Sequence, residues 1–130
     1  MPGNKILLVE DDFMNMRLAQ HILEGEGYTV LKAATAQEAL QQIETSLPEL
    51  ILMDVQLPDM DGMTVVRILR ENARTRNITI LALTAYAMKG DRERILQMGF
   101  DDYISKPINI KYFIYTVRMF LKPRNLSEKK

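Results

Sequence analysis

The chain has 130 residues, 47% of them hydrophobic, and its 17 lysines and arginines balance 17 aspartates and glutamates. That length fits one compact domain, and the balanced charge provides no overall field to draw it to nucleic acid or to an anionic membrane. The lack of cysteine excludes disulfides and thiolate metal sites; Met1–Lys5 runs straight into the first strand, leaving no room for a signal peptide, and no apolar stretch approaches membrane-spanning length, so the expected location is cytoplasmic.

Short apolar runs alternate with helical patterns five times, as parallel strands joined by crossover helices do. The first strand is expected at Lys5 to Val9. A helix follows from Phe13 to Glu24, N-capped by Asp12, with Met14, Leu18 and Ile22 on one face and Gly25 and Gly27 ending it. Thr29 to Lys32 reads as the second strand. The second helix opens on a capping box, Thr35-Ala36-Gln37-Glu38, and turns Ala39, Leu40 and Ile43 inward. A strand at Leu50 to Met53 precedes a helix at Met63 to Asn72, and a strand at Ile78 to Leu83 precedes a helix at Gly90 to Met98. The last pair is a strand at Asp102 to Ser105 and a helix at Ile110 to Leu121, bounded by Pro107 and Pro123. The domain is expected to span 1–122, with 123–130 a short polar tail.

Strands buried on both faces read as continuous aliphatic runs, which puts the segments ending at Val9, Met53 and Leu83 at the centre of the sheet and the two more polar ones at its edges. The expected fold is an α/β doubly wound, five-stranded parallel sheet of order 2-1-3-4-5 with five helices. Ligands of such sheets sit at the carboxyl ends of the strands, where the winding reverses.

That edge collects Glu10 and Asp11 after the first strand, Asp54 after the third, Thr84 after the fourth and Lys106 after the fifth. Converging carboxylates repel one another unless a cation neutralises them. An oxygen-only donor set favours magnesium with retained water, usually beside phosphate. Asp54 is then a nucleophile able to form an acyl phosphate, with Lys106 and Thr84 contacting phosphoryl oxygens. Each residue alone has an ordinary reading: Asp54 as a turn former, Lys106 as a surface charge, Thr84 as a turn hydroxyl, and Glu10-Asp11-Asp12 as a charge cluster before a helix. Their joint occurrence at four strand ends carries the chemical reading. His21 reads as a surface side chain and the nine methionines as core filler, with Met88 and Met60 as adaptable interface.

With Ile6-Leu7-Leu8-Val9-Glu10-Asp11, Ile51-Leu52-Met53-Asp54-Val55-Gln56-Leu57-Pro58, Leu83-Thr84-Ala85 and Ser105-Lys106-Pro107, the chain resembles the receiver domain of bacterial two-component response regulators from Lys5 to about Leu121. Asn15-Met16, the run Ala85 to Asp91 and the run Tyr103 to Ile108 look most like the single-domain regulators of DivK type. That family is itself a reference example of the flavodoxin-like 2-1-3-4-5 sheet, so the strand order has no independent weight. The resemblance implies Asp54 as phosphoacceptor, and Glu10, Asp11, Asp54 and the Gln56 carbonyl as holders of Mg2+, with Mn2+ as a substitute. Asp11-Asp12 is an alternative acidic pair if the strand ends one residue later; otherwise Asp12 stands behind the ligands or caps the helix. The resemblance also implies Thr84 as the switch hydroxyl, Lys106 at the phosphoryl group, Tyr103 as the switch aromatic, and a cis bond before Pro107. The implied partner surface includes Ala85, Ala87, Met88, Arg92, Tyr103 and Tyr112, and Tyr86 is expected to slow hydrolytic water.

The partners implied are a sensor histidine kinase or histidine phosphotransfer protein and a downstream protein, with no nucleic acid and no membrane. The domain is expected to promote only its own phosphorylation and dephosphorylation. Three other readings compete. One is the receiver portion of a hybrid histidine kinase or longer regulator. A magnesium-dependent aspartyl phosphatase usually has a second acid two residues after its nucleophile, where this chain has Gln56. A nucleotide-binding module lacks its Gly-x-Gly-x-x-Gly turn or Walker loop here.

Overall fold

The computed structural model describes residues 4–85 and 91–121. Five strands and five helices alternate: β1 Lys5–Val9, α1 Phe13–Gly25, β2 Thr29–Ala33, α2 Ala36–Thr45, β3 Leu50–Asp54, α3 Gly62–Glu71, β4 Thr79–Thr84, α4 Asp91–Gln97, β5 Asp102–Ser105 and α5 Ile110–Phe120. All neighbouring strands are parallel, in the order β2-β1-β3-β4-β5. Element ends differ from the sequence expectation by about one residue, the usual fraying at termini. Gly90, Lys122 and Pro123 lie outside the described residues, as does the expected tail. Among the described residues no helix is long and apolar enough to cross a membrane.

The strands alternate between two buried layers. Leu7, Val9, Ile51, Met53, Ile80 and Ala82 face one cluster, joined by residues of α2, α3 and α4. Ile6, Leu8, Leu50, Leu52, Leu81 and Leu83 face the other, with α1 and α5. Because both faces are covered, consecutive residues are all apolar, and each buried aliphatic side chain contributes about 2 kcal/mol relative to exposure.

Of the α1 face that carries Met14, Leu18 and Ile22, only Ile22 reaches the core. Ala19, Ile22 and Leu23 are buried, whereas Met14 is 71% and Leu18 39% exposed. Residues four apart on a helix drift by about 40° per step, so a stripe drawn from Met14 through Leu18 reaches the core only at Ile22. The methionines divide as well. Met53 is in the core and Met60 is partly buried against the layer that holds α2, α3 and α4, while Met63 and Met119 are exposed like Met14. Met88 lies outside the described residues, and His21 is exposed as expected.

The amino ends of β4 and β5 are tied by Arg70, at the end of α3. Its guanidinium donates to the carbonyls of Gly99 (3.1 and 2.9 Å), Arg76 (2.8 Å) and Ile78 (2.7 Å) and to Asp101 Oδ2 (2.9 Å). Those are five hydrogen bonds, as many as the group has N–H donors. The same Asp101 oxygen accepts from the Ile80 amide at 2.8 Å. Gly99 has φ 112°, and a Cβ there would lie 2.6 Å from Val66 Cγ1, so this corner requires glycine.

Candidate functional site

The in-register strands bring their carboxyl ends level, with Val9 opposite Met53 and Asp54 opposite Leu83. One residue beyond β1 stands Glu10, and Asp54 is the last residue of β3. Carboxylate oxygens of Glu10, Asp11 and Asp54 all lie within 4.8 Å of one another, the only such acidic group among the described residues. Glu10 is buried, Asp54 half-buried and Asp11 exposed, so the cluster opens from the sheet edge to solvent.

Lys106 stands between two of these acids. Its Nζ donates to Asp54 Oδ2 at 2.9 Å and forms an ion pair with Glu10 Oε1 at 2.7 Å. Glu10 Oε1 is buried, and the Lys106 ammonium is the group that faces it. The other Glu10 oxygen accepts from the Asp12 amide at 3.0 Å. Burial pushes the Glu10 carboxyl above its ordinary range against the pull of Lys106. Burial also opposes the Lys106 charge, but Glu10 and Asp54 together outweigh it and raise the ammonium's pKa. The peptide bond between Lys106 and Pro107 is cis.

Three carboxylates that converge within 4.8 Å beside a single ammonium form an oxygen-only donor set with excess negative charge, which matches the preference of a hard divalent cation. The residues present therefore fit a metal of the magnesium class. Asp12 is not in the cluster: its carboxylate accepts from the Asn15 amide at 2.8 Å and caps α1. Glu10-Asp11 is thus the pair that meets Asp54.

Gln56 and Thr84 line the same cavity of about 300 Å³, with Ala85, Val55 and Asn15. The Gln56 amide donates to Asp54 Oδ1 at 2.9 Å, which orients the carboxylate from its own loop. Thr84 is buried, and its carbonyl accepts from the Lys106 amide at 2.8 Å. Of the expected switch surface, Tyr103 is partly buried against the layer holding α3 and α4, Arg92 pairs with Asp102 at 3.5 Å, and Ala85 and Tyr112 are exposed. Tyr86, Ala87 and Met88 lie outside the described residues.

A family model for the response regulator receiver domain matches residues 6–118. The chain belongs to the receiver domain family. It is 42% identical over 116 residues, 89% of this chain and 94% of the relative, to the polar-differentiation response regulator DivK of Brucella ovis. Among solved structures it is similar to the receiver domain of a sensor histidine kinase from Pseudomonas aeruginosa, with 36% identity, a TM-score of 0.85 and coverage of 93% and 99% of the two chains. That receiver was solved with a magnesium ion coordinated in its active-site cleft. The chemotaxis response regulator CheY4 of Vibrio cholerae is 27% identical with a TM-score of 0.86, covering 92% of this chain and 99% of its own. The chain is thus a receiver domain of two-component signalling, similar to single-domain regulators and to kinase-borne receivers.

Sequence reasoning missed two contributors to this end of the molecule. Asn15, in the first turn of α1, lines the cavity wall. Asp59 accepts from the amides of Ala36 at 2.9 Å and Gln37 at 3.0 Å, capping α2 from the loop after β3. Nothing local in the sequence signals a cap supplied by a residue more than twenty positions downstream.

Proposed function

We propose that this receiver is a phosphorylation switch in which Asp54 accepts a phosphoryl group from a histidine kinase or phosphotransfer protein. The observation that carries this reading is the Lys106 ammonium 2.9 Å from Asp54 Oδ2, inside a cluster of three carboxylates. An Asp54 oxygen attacks phosphorus, the phosphorus–nitrogen bond of the donor breaks, and its electron pair leaves on the imidazole. Lys106 neutralises charge on the transferring oxygens, and the Gln56 amide holds the other Asp54 oxygen in place. Asp11, Asp54 and the Gln56 carbonyl, with Glu10, are the groups to hold Mg2+, with Mn2+ as substitute. The ion supplies charge neutralisation between two anions.

The phosphorylated Asp54 draws the Thr84 hydroxyl toward it, and Tyr103 turns into the space vacated. The surface that changes includes Ala85, Tyr86, Ala87, Met88, Arg92, Tyr103 and Tyr112, and a downstream protein reads it. The domain promotes only its own phosphorylation and loss of the group, and its place of work is the cytoplasm.

The protein and an Asp54→Asn variant are to be incubated with acetyl phosphate, with and without Mg2+, and followed by intact mass. One added phosphoryl group is expected only for the unaltered chain with Mg2+. Equal modification of the variant would place the acceptor elsewhere.

A further inference from the structure

The loop that follows Asp54 is held at three levels. Near its base the Gly62 amide donates to the Val55 carbonyl at 2.7 Å, and a Cβ at Gly62 would lie only 3.0 Å from that oxygen. One step further, Gln56 pairs with Asp61 in an isolated antiparallel bridge. Near its tip Asp59 places one carboxylate oxygen on the Ala36 amide and the other on the Gln37 amide. The first two ties lie within the loop and fix its width. The Asp59 tie carries the tip of the loop across to α2, while the base is held to the sheet by the Val55 amide, which donates to the Leu83 carbonyl at 3.3 Å, and Leu57 and Met60 pack on the core beneath.

We propose that Asp59 is a positioning residue for the metal site: by clamping the loop to α2 it holds Gln56 at the cavity and so sets the affinity for Mg2+. The inference rests on the reading of Glu10, Asp11, Asp54 and Gln56 as the Mg2+ site. Physically it is preorganisation. A tethered loop has its ligand in place before the ion arrives, whereas a free one must be ordered by binding. α2 has its own cap in Thr35, whose hydroxyl accepts from the Glu38 amide at 3.1 Å, so the helix does not depend on Asp59 alone.

That second cap supplies the control. Mg2+ affinity is to be measured by isothermal titration calorimetry on the full chain, for the unaltered protein and for Asp59→Ala, Asp59→Asn, Thr35→Ala and Asp11→Asn. Amide hydrogen exchange over residues 55–61 is read on the same samples without metal. The expected result is roughly tenfold weaker Mg2+ binding in Asp59→Ala, a smaller loss in Asp59→Asn, faster exchange in the loop, and unchanged affinity in Thr35→Ala. Equal affinity in Asp59→Ala and the unaltered chain, or the same loss in Thr35→Ala, overturns the inference. Absence of binding by the unaltered chain, or undiminished binding by Asp11→Asn, overturns the metal-site reading itself and the inference with it.

Discussion

At the carboxyl edge of the sheet, Lys106 is shared between Glu10 and Asp54, and Asp11 brings a third carboxylate to the cluster. At the amino edge, Arg70 places five N–H donors on four acceptors at 2.7–3.1 Å. Both are cations set among oxygens at strand ends, but only the first leaves negative charge in excess. A satisfied network contributes rigidity, whereas three carboxylates beside one ammonium carry excess negative charge that favours a further cation. The amino edge is saturated with hydrogen bonds, and the carboxyl edge is left with more negative charge than its lysine neutralises.

Removing each cation tests that difference. Arg70→Ala is expected to cost about 3 kcal/mol in urea unfolding, because it leaves carbonyls in the corner between α3, β4 and β5 without donors. Phosphorylation by acetyl phosphate in the folded protein is expected to be unchanged. Lys106→Met is expected to do the reverse, slowing phosphoryl uptake by about a hundredfold while the fold persists. If rates followed by intact mass were instead insensitive to Lys106, the ammonium would belong with Arg70 as a structural tie.

The smallest effect concerns Asp59, which belongs to the carboxyl edge yet is fully paired. Its hydrogen bond from the Ala36 amide, with that from Gln37, holds its carboxyl below the ordinary value of 3.8. A depressed folded-state pKa contributes stability that is present above the ordinary value and is lost as pH falls through the folded one. The stability gap between the unaltered chain and Asp59→Asn, from urea melts at a series of pH values, should therefore be constant near neutrality and close below pH 3.8. A gap that persists in acid would show that the charge is not what makes the cap.

Much of this was readable in the sequence. Ile6–Val9 and Leu50–Met53 are at most 1% exposed, and burial on two faces leaves an uninterrupted aliphatic signature. The acids, hydroxyl and lysine immediately following such runs were readable for the same reason: a parallel strand delivers whatever follows it to one edge. Side chains that act across the fold leave no such mark. Arg70 reads as a basic residue in the last turn of a helix, and its acceptors are mainly backbone. Asp59 reads as a turn former beside a proline, and only the tertiary structure brings it to α2. The face of α1 that Met14, Leu18 and Ile22 share meets the core only at Ile22, because a spacing of four drifts around a helix of 3.6 residues per turn.

The grip of Arg70 also shapes how this domain can vary. Three of its four acceptors are backbone carbonyls, belonging to Gly99, Arg76 and Ile78. A substitution at Arg76 exchanges the side chain and leaves the acceptor where it was. Genetic sensitivity at this edge is therefore concentrated in Arg70, in Asp101, and in Gly99 with its positive φ. The neighbouring surface can drift in sequence while the corner beneath it keeps its shape.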